Sequence, residues 1–244
     1  MSLTSEPTAG DAAFPATHWS AVLSSSGTSA RSSAALEELC RVYWRPLYVF
    51  LRRKGNTPHD SQDLVQGFLE RLLERKDLAN VSPEKGRFRT YLLTSLRNFM
   101  IKQAEREKAA KRGGGKVLIP LDADEAERMS LPDLSAESPE AAYDRQWART
   151  VLGRALDRLR SEHIARNKEA LFEGLVPFLE GADPKEYEGA GQKLAMKTGT
   201  VAVAVHRMRG RLQELLRAEV LQTVGNSADA DAELRELLEA LARG

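Results

Sequence analysis

Lys197, Thr198, Thr200, Val203, Arg207 and Arg211 fall in one short stretch of this 244-residue chain, and their chemistry is that of contact rather than bond-making. Cations, hydroxyls and one small apolar group can grip an anion and touch what lies beside it. The apolar residues among them, Val201, Val205, Met208, Leu212 and Leu215, are spaced to bury one stripe of a helix. At about 100° per residue, Thr200, Val203, Arg207 and Arg211 then gather on a flanking, outward face. Thr198 or Thr200 is expected to cap the helix start, where free backbone N–H groups also favour a phosphate. A short helix and a three-residue break precede this one. That is a helix-turn-helix pattern, whose second helix enters a DNA major groove. Lys197, Thr198 and Thr200 would reach base edges, Val203 a thymine methyl, and Arg207, Arg209 and Arg211 the phosphates.

Two further groups could make contacts of the same kind. Asp60, Asp63 and Gln66 lie at three-residue steps, so they share a face near the start of a second helix. Arg87, Arg89, Asn98, Lys102 and Arg106 lie along a third, where the cations would hold phosphates and confer salt-dependent affinity. Bond-making chemistry has no such support. The four histidines are scattered, and Cys40 falls in an apolar helical pattern that predicts a buried thiol. Gly113-Gly114-Gly115-Lys116 lacks the strand and the Ser/Thr of a phosphate-binding loop. No catalytic residue, metal site or cofactor is expected.

The elements that must position these residues read as helices throughout. Apolar content of 42% and charged content of 29% suit a soluble protein, and the net charge of +1 hides a strong pattern. Residues 83–116 carry ten Lys/Arg against three acids, residues 117–144 one against eight, and residues 185–217 seven against three. The expected fold class is all-α: two small helical domains joined by a flexible acidic linker. The expected divisions are a 1–33 extension with a helix start at Thr17, a 34–112 domain, a 113–138 linker, a 139–224 domain and a 225–244 acidic helix. Helices are predicted over Ala34–Lys54 (interrupted by Pro46), Asp60–Arg75 capped by Asp60 or Ser61, Arg87–Lys111, Glu140–Arg160, Asn167–Leu179 and 229–243. No apolar run reaches the ~20 residues that cross a bilayer, and the N-terminus does not read as a signal peptide. A cytoplasmic protein with no membrane contact is expected.

Three segments, in order, resemble bacterial RNA polymerase sigma factors of the extracytoplasmic-function type, in the sigma-70-like superfamily. Asp60-Ser61-Gln62-Asp63-Leu64-Val65-Gln66 is similar to that family's acidic DAEDLVQ signature. Gly86-Arg87-Phe88-Arg89-Thr90-Tyr91-Leu92, followed by Leu96-Arg97-Asn98, resembles the stretch around its promoter-melting helix. Gly199-Thr200-Val201 with Val205-His206-Arg207-Met208-Arg209 resembles its GTV…LHRAR recognition helix. The resemblance implies a factor without catalysis of its own, binding core RNA polymerase and promoter DNA. Residues 34–112 would be a region 2-like domain and 139–224 a region 4-like one. Asp60, Asp63 and Gln66 would meet the polymerase, Asn98 would hold a flipped base of the minus-ten element, and the 139–224 domain would read the minus-thirty-five element. An anti-sigma factor or other regulator is a further partner to look for. The other reading is a helix-turn-helix regulator that binds DNA and never engages polymerase.

Overall fold

The structure is a computed structural model that describes residues 30–74, 87–109, 137–224 and 227–243. Among the described residues every regular element is helical. Helix α1 spans Ala30–Arg53, α2 Pro58–Glu74, α3 Phe88–Ala109 and α4 Pro139–Ala165. Helix α5 spans Glu169–Leu179, and a 3₁₀ turn, Pro184–Glu186, leads to α6, Tyr187–Leu194. Helix α7 is Thr198–Leu221 and α8 is Ser227–Ala242. The expected helix start at Thr17, and the linker apart from Glu137 and Ser138, lie outside the described residues.

Local chemistry sets the boundaries. Helix α1 runs on through Pro46 and ends where Gly55 takes a φ of 89°, a conformation that costs glycine little. The cap of α2 is not Asp60 or Ser61 but Thr57. Its Oγ accepts from the Asp60 N–H at 3.1 Å and donates to the Asp60 carboxylate at 2.7 Å, with Pro58 at the first helical position. Ser61 is fully buried instead. Ser138 caps α4 by accepting from Ala141 N–H at 3.1 Å, and Pro139 and Glu140 complete a favourable first turn.

Helix α4 is the spine. It packs against α1 along one side and against α5, α7 and α8 along others. Tyr143, Trp147, Val151, Ala155 and Leu159 are all buried and recur every four residues, so the buried ridge drifts about 40° per step around the helix and meets several neighbours. Tyr43, Leu47, Phe50 and Leu51 of α1 meet Val65 and Phe68 of α2 and Phe88, Leu92 and Leu96 of α3 in the same continuous core. Each large side chain so buried contributes about 1.5–3 kcal/mol. The segments expected as separate domains thus pack on one another. Tyr143 donates its hydroxyl to the Arg89 carbonyl at 3.0 Å, and the Phe88 N–H donates to the Thr223 carbonyl at 3.2 Å.

Candidate nucleic-acid interface

Helices α6 and α7 meet across Ala195, Met196 and Lys197. Ala195 takes a left-handed φ of 53°, which lets the chain reverse in so few residues. Gly191 makes the closure tight: a Cβ there would lie 2.6 Å from the Met196 carbonyl oxygen and 3.5 Å from a Val201 methyl. Only glycine leaves room for that backbone. Beyond the turn, Val201, Val205, Met208, Leu212 and Leu215 are buried, as their spacing predicts. Lys197, Thr198, Thr200, Val203 and Arg207 are exposed.

The start of α7 differs from expectation in one respect. Lys197 occupies the capping position and offers no side-chain cap, so Thr198 and Thr200 lie inside the helix with exposed side chains. The arginines also part company. Arg207 is exposed with no carboxylate paired to it among the described residues. Arg211 is exposed but bridges Glu162, at 2.6 and 3.0 Å, and Glu214, at 2.6 Å. The Arg211 hydrogen bond is the main reason the Glu162 carboxyl lies below its ordinary pKa. Arg209 turns away from the outward face and donates to the Phe178 carbonyl at 2.8 Å, so it fastens α7 to α5. Beside the exposed face runs an open groove bordered by Arg166, Lys168, Thr200, Val203, Arg207 and Arg211.

A smaller concavity lies between α2 and α3. Its volume is about 160 Å³, comparable with the ~150 Å³ cavities that admit a benzene ring. Phe68, Tyr91 and Phe99 supply aromatic walls, and Ser95, Asn98, Arg71 and Lys102 supply polar groups. Phe68 and Phe99 stand 5.9 Å apart between ring centres, with the Arg71 guanidinium 6.0 Å from the Phe99 ring. Asn98 and Lys102 are exposed. An aromatic wall with an amide and cations at the rim suits a planar, hydrogen-bonding ring attached to an anion. Phe68, Arg71, Ser95 and Phe99 are absent from the sequence-based site. The signal was present: Phe68, Arg71 and Leu72 on α2, and Ser95, Asn98, Phe99 and Lys102 on α3, each follow three- and four-residue steps along one face. Arg106 lies on α3, but its side chain is outside the described residues.

Arg87 and Arg89, expected to hold phosphates, are paired with carboxylates of the chain itself. Arg89 is only 7% exposed. It forks onto Glu233 at 2.5 and 3.1 Å, reaches Glu236 at 2.7 Å, pairs with Asp144, and lies 5.0 Å over the Trp147 ring. Arg87 pairs with Glu236, one bond at 2.7 Å, and with Glu233 at 3.0 Å. The hydrogen bond from Arg87 holds the Glu236 carboxyl below its ordinary pKa against the opposing effect of burial. Burial works against the charge on Arg89, yet Glu233, Asp144 and Glu236 together raise its pKa further. In this arrangement the pair is committed to α4 and α8.

The acidic face of α2 is also altered. Asp60 is exposed although its carboxylate accepts from Thr57, and Asp63 lies 4.0 Å from His59. Gln66 does not stand out as an exposed contact: it is buried and donates to Glu70 at 2.9 Å, so Glu70 continues the acidic face.

A family match falls on the stretch that carries the acidic face, the cavity and the Arg87–Arg89 pair. Residues 39–110 match the Sigma-70 region 2 family. The match covers less than a third of the chain and supports a sigma factor role in general terms for that stretch. No curated protein and no solved structure matches the chain. Region 2 takes in Asp60, Asp63, Gln66, Arg87, Arg89, Asn98, Lys102 and Arg106, and implies interaction with core RNA polymerase and promoter DNA. Lys197, Thr198, Thr200, Val203, Arg207 and Arg211 lie beyond it, so their role rests on geometry. No helix among the described residues is long and apolar enough to cross a membrane.

Proposed function

We propose that this chain is a sigma factor of the extracytoplasmic-function type, which binds core RNA polymerase and directs promoter recognition and melting from the cytoplasm. The observation that carries the reading is the ring-sized cavity between α2 and α3, inside the region 2 match, with Asn98 and Lys102 at its rim. A base drawn out of a melting duplex needs a wall for its face and a polar partner for its edge. In this reading residues 34–112 form the domain that meets polymerase through Asp60 and Asp63 and takes the minus-ten element. Residues 139–224 supply a helix-turn-helix for the minus-thirty-five element. Lys197, Thr198, Thr200 and Val203 face bases there, and Arg207 takes a phosphate. Arg211 must first exchange Glu162 and Glu214 for one. Two modest contacts on one chain gain from effective concentration.

Run-off transcription with purified core polymerase tests this. New start sites should appear with the wild-type chain, and Asn98→Ala should lower initiation about tenfold, the scale of one lost hydrogen bond in a desolvated site. Absence of any new start, or full activity in Asn98→Ala, would overturn the reading. A regulator that binds DNA without polymerase is the second reading, favoured by the buried, self-engaged Gln66. Core-polymerase pull-down separates the two: Asp60→Lys with Asp63→Lys should abolish capture if the α2 face is the interface.

A further inference from the structure

The cations at the start of α3 sit on the same helix as the cavity rim, and something already occupies them. From Arg87 to Asn98 is eleven residues, about 16 Å and three turns along a helix, so a strand whose base enters the cavity can pass a phosphate near Arg87, with Arg89 round the helix behind the same carboxylates. Both guanidinium groups are instead engaged with carboxylates of α8. Two N–H groups of Arg87 face the two oxygens of Glu236, and two of Arg89 face those of Glu233. Forked recognition of this kind fits phosphate as well as carboxylate. Glu233 is fully buried and Glu236 half-exposed, so the cover is anchored at one point and open to water at the other. The same spot holds the Phe88–Thr223 backbone bond and the Tyr143–Arg89 bond, which tie α3 to the chain beyond residue 137.

We propose that α8 is an internal cover on a nucleic-acid contact: Glu233 and Glu236 take the place of strand phosphates on Arg87 and Arg89. While the cover is on, the two halves stay docked and the isolated protein binds single strands weakly. When it leaves, Arg87 and Arg89 lose their α8 carboxylates and can take strand phosphates near the already exposed cavity rim. The proposal deepens the sigma-factor reading, from which it takes only the idea that a strand approaches α3.

The test uses the full-length chain and a short oligodeoxythymidine, with no polymerase. Glu233→Gln with Glu236→Gln is compared with Glu180→Gln plus Glu239→Gln, which changes net charge equally but lies outside the cluster. Hydrogen exchange at the Phe88 amide should quicken at least tenfold in the cluster variant alone. Its oligonucleotide affinity should rise about tenfold, and the salt slope should steepen by ~0.7 for each arginine freed. Glu236→Gln alone, at the half-exposed site, should keep the native helical content and show a smaller shift in the same direction. Unchanged exchange and affinity in a folded variant would overturn the proposal. Faster exchange without tighter binding would overturn it too, since the arginines would then be structural only. A wild-type chain that never engages core polymerase would sink the earlier reading and leave this result intact.

Discussion

Arg87 and Arg89 at the start of α3, and Arg207 and Arg211 on α7, look alike in the sequence: paired cations on patterned helices. In the structure they differ in depth and in company. Arg89 is nearly buried among three carboxylates, whereas Arg207 stands in solvent with none paired to it among the described residues. The difference teaches that a run of cations reports a need for anions but does not say whether the anions come from outside. Here the acidic C-terminal helix supplies them to one pair. The other pair is at most lightly held, by Glu162 and Glu214 on Arg211.

The largest effect should come from removing one member of the buried group. Arg89→Ala leaves Glu233, which has no exposed side-chain surface, with Arg87 as its remaining cation and takes away the Arg89 bridge to Asp144. Breaking a buried pair from one side typically costs about 3–5 kcal/mol. Chemical denaturation should show a loss of that size, while Arg207→Ala should stay within about 0.5 kcal/mol of wild type. Equal, small losses would erase the contrast between the two pairs. Replacing Arg89 and Glu233 together by apolar residues of similar volume should recover most of the stability.

The turn before α7 is the next place to press. Gly191→Ala puts a methyl group 2.6 Å from the Met196 carbonyl, which must shift because backbone is the obstacle. Overpacking of this kind costs about 1–3 kcal/mol. The expected signature is a lowered thermal midpoint, with the Phe88 amide still protected against exchange. If the α3 contact loosened as much as the turn, the two regions would be one cooperative unit rather than two.

How much of this the sequence disclosed depends on range. The stripe of α7 was legible because burial on one side leaves a 3.6-residue period, and Val201 to Leu215 obey it. Helices α1 to α3 were legible within a few residues for the same reason, although Thr57 rather than Asp60 begins α2. Helix α4 was legible as a helix from the four-residue steps of Tyr143, Trp147 and Ala155, but that ridge winds around it, and nothing local shows that α1 leans on it. The ion-pair partners were invisible, since Arg87 and Glu236 lie 149 residues apart and only the fold brings them together. Asn98 was legible through the resemblance. Phe68 and Arg71, which face it across the cavity, belong to another helix, so their role emerges only when α2 and α3 are packed.

The smallest expected effect makes the sharpest distinction on the α7 side. Arg211 is paired yet exposed, so its bridges to Glu162 and Glu214 are screened by water and salt. Arg211→Ala should therefore change stability by no more than about 1 kcal/mol, and less at high salt. If Arg211 exchanges its carboxylates for a phosphate on DNA, the same substitution should lower the salt slope of duplex binding by ~0.9, the value of one phosphate contact. Fluorescence anisotropy across a salt series reads that slope directly. A stability loss approaching that of Arg89→Ala, with the slope untouched, would place Arg211 with the buried pair rather than with Arg207. The outward face of α7 would then present one cation to DNA instead of two.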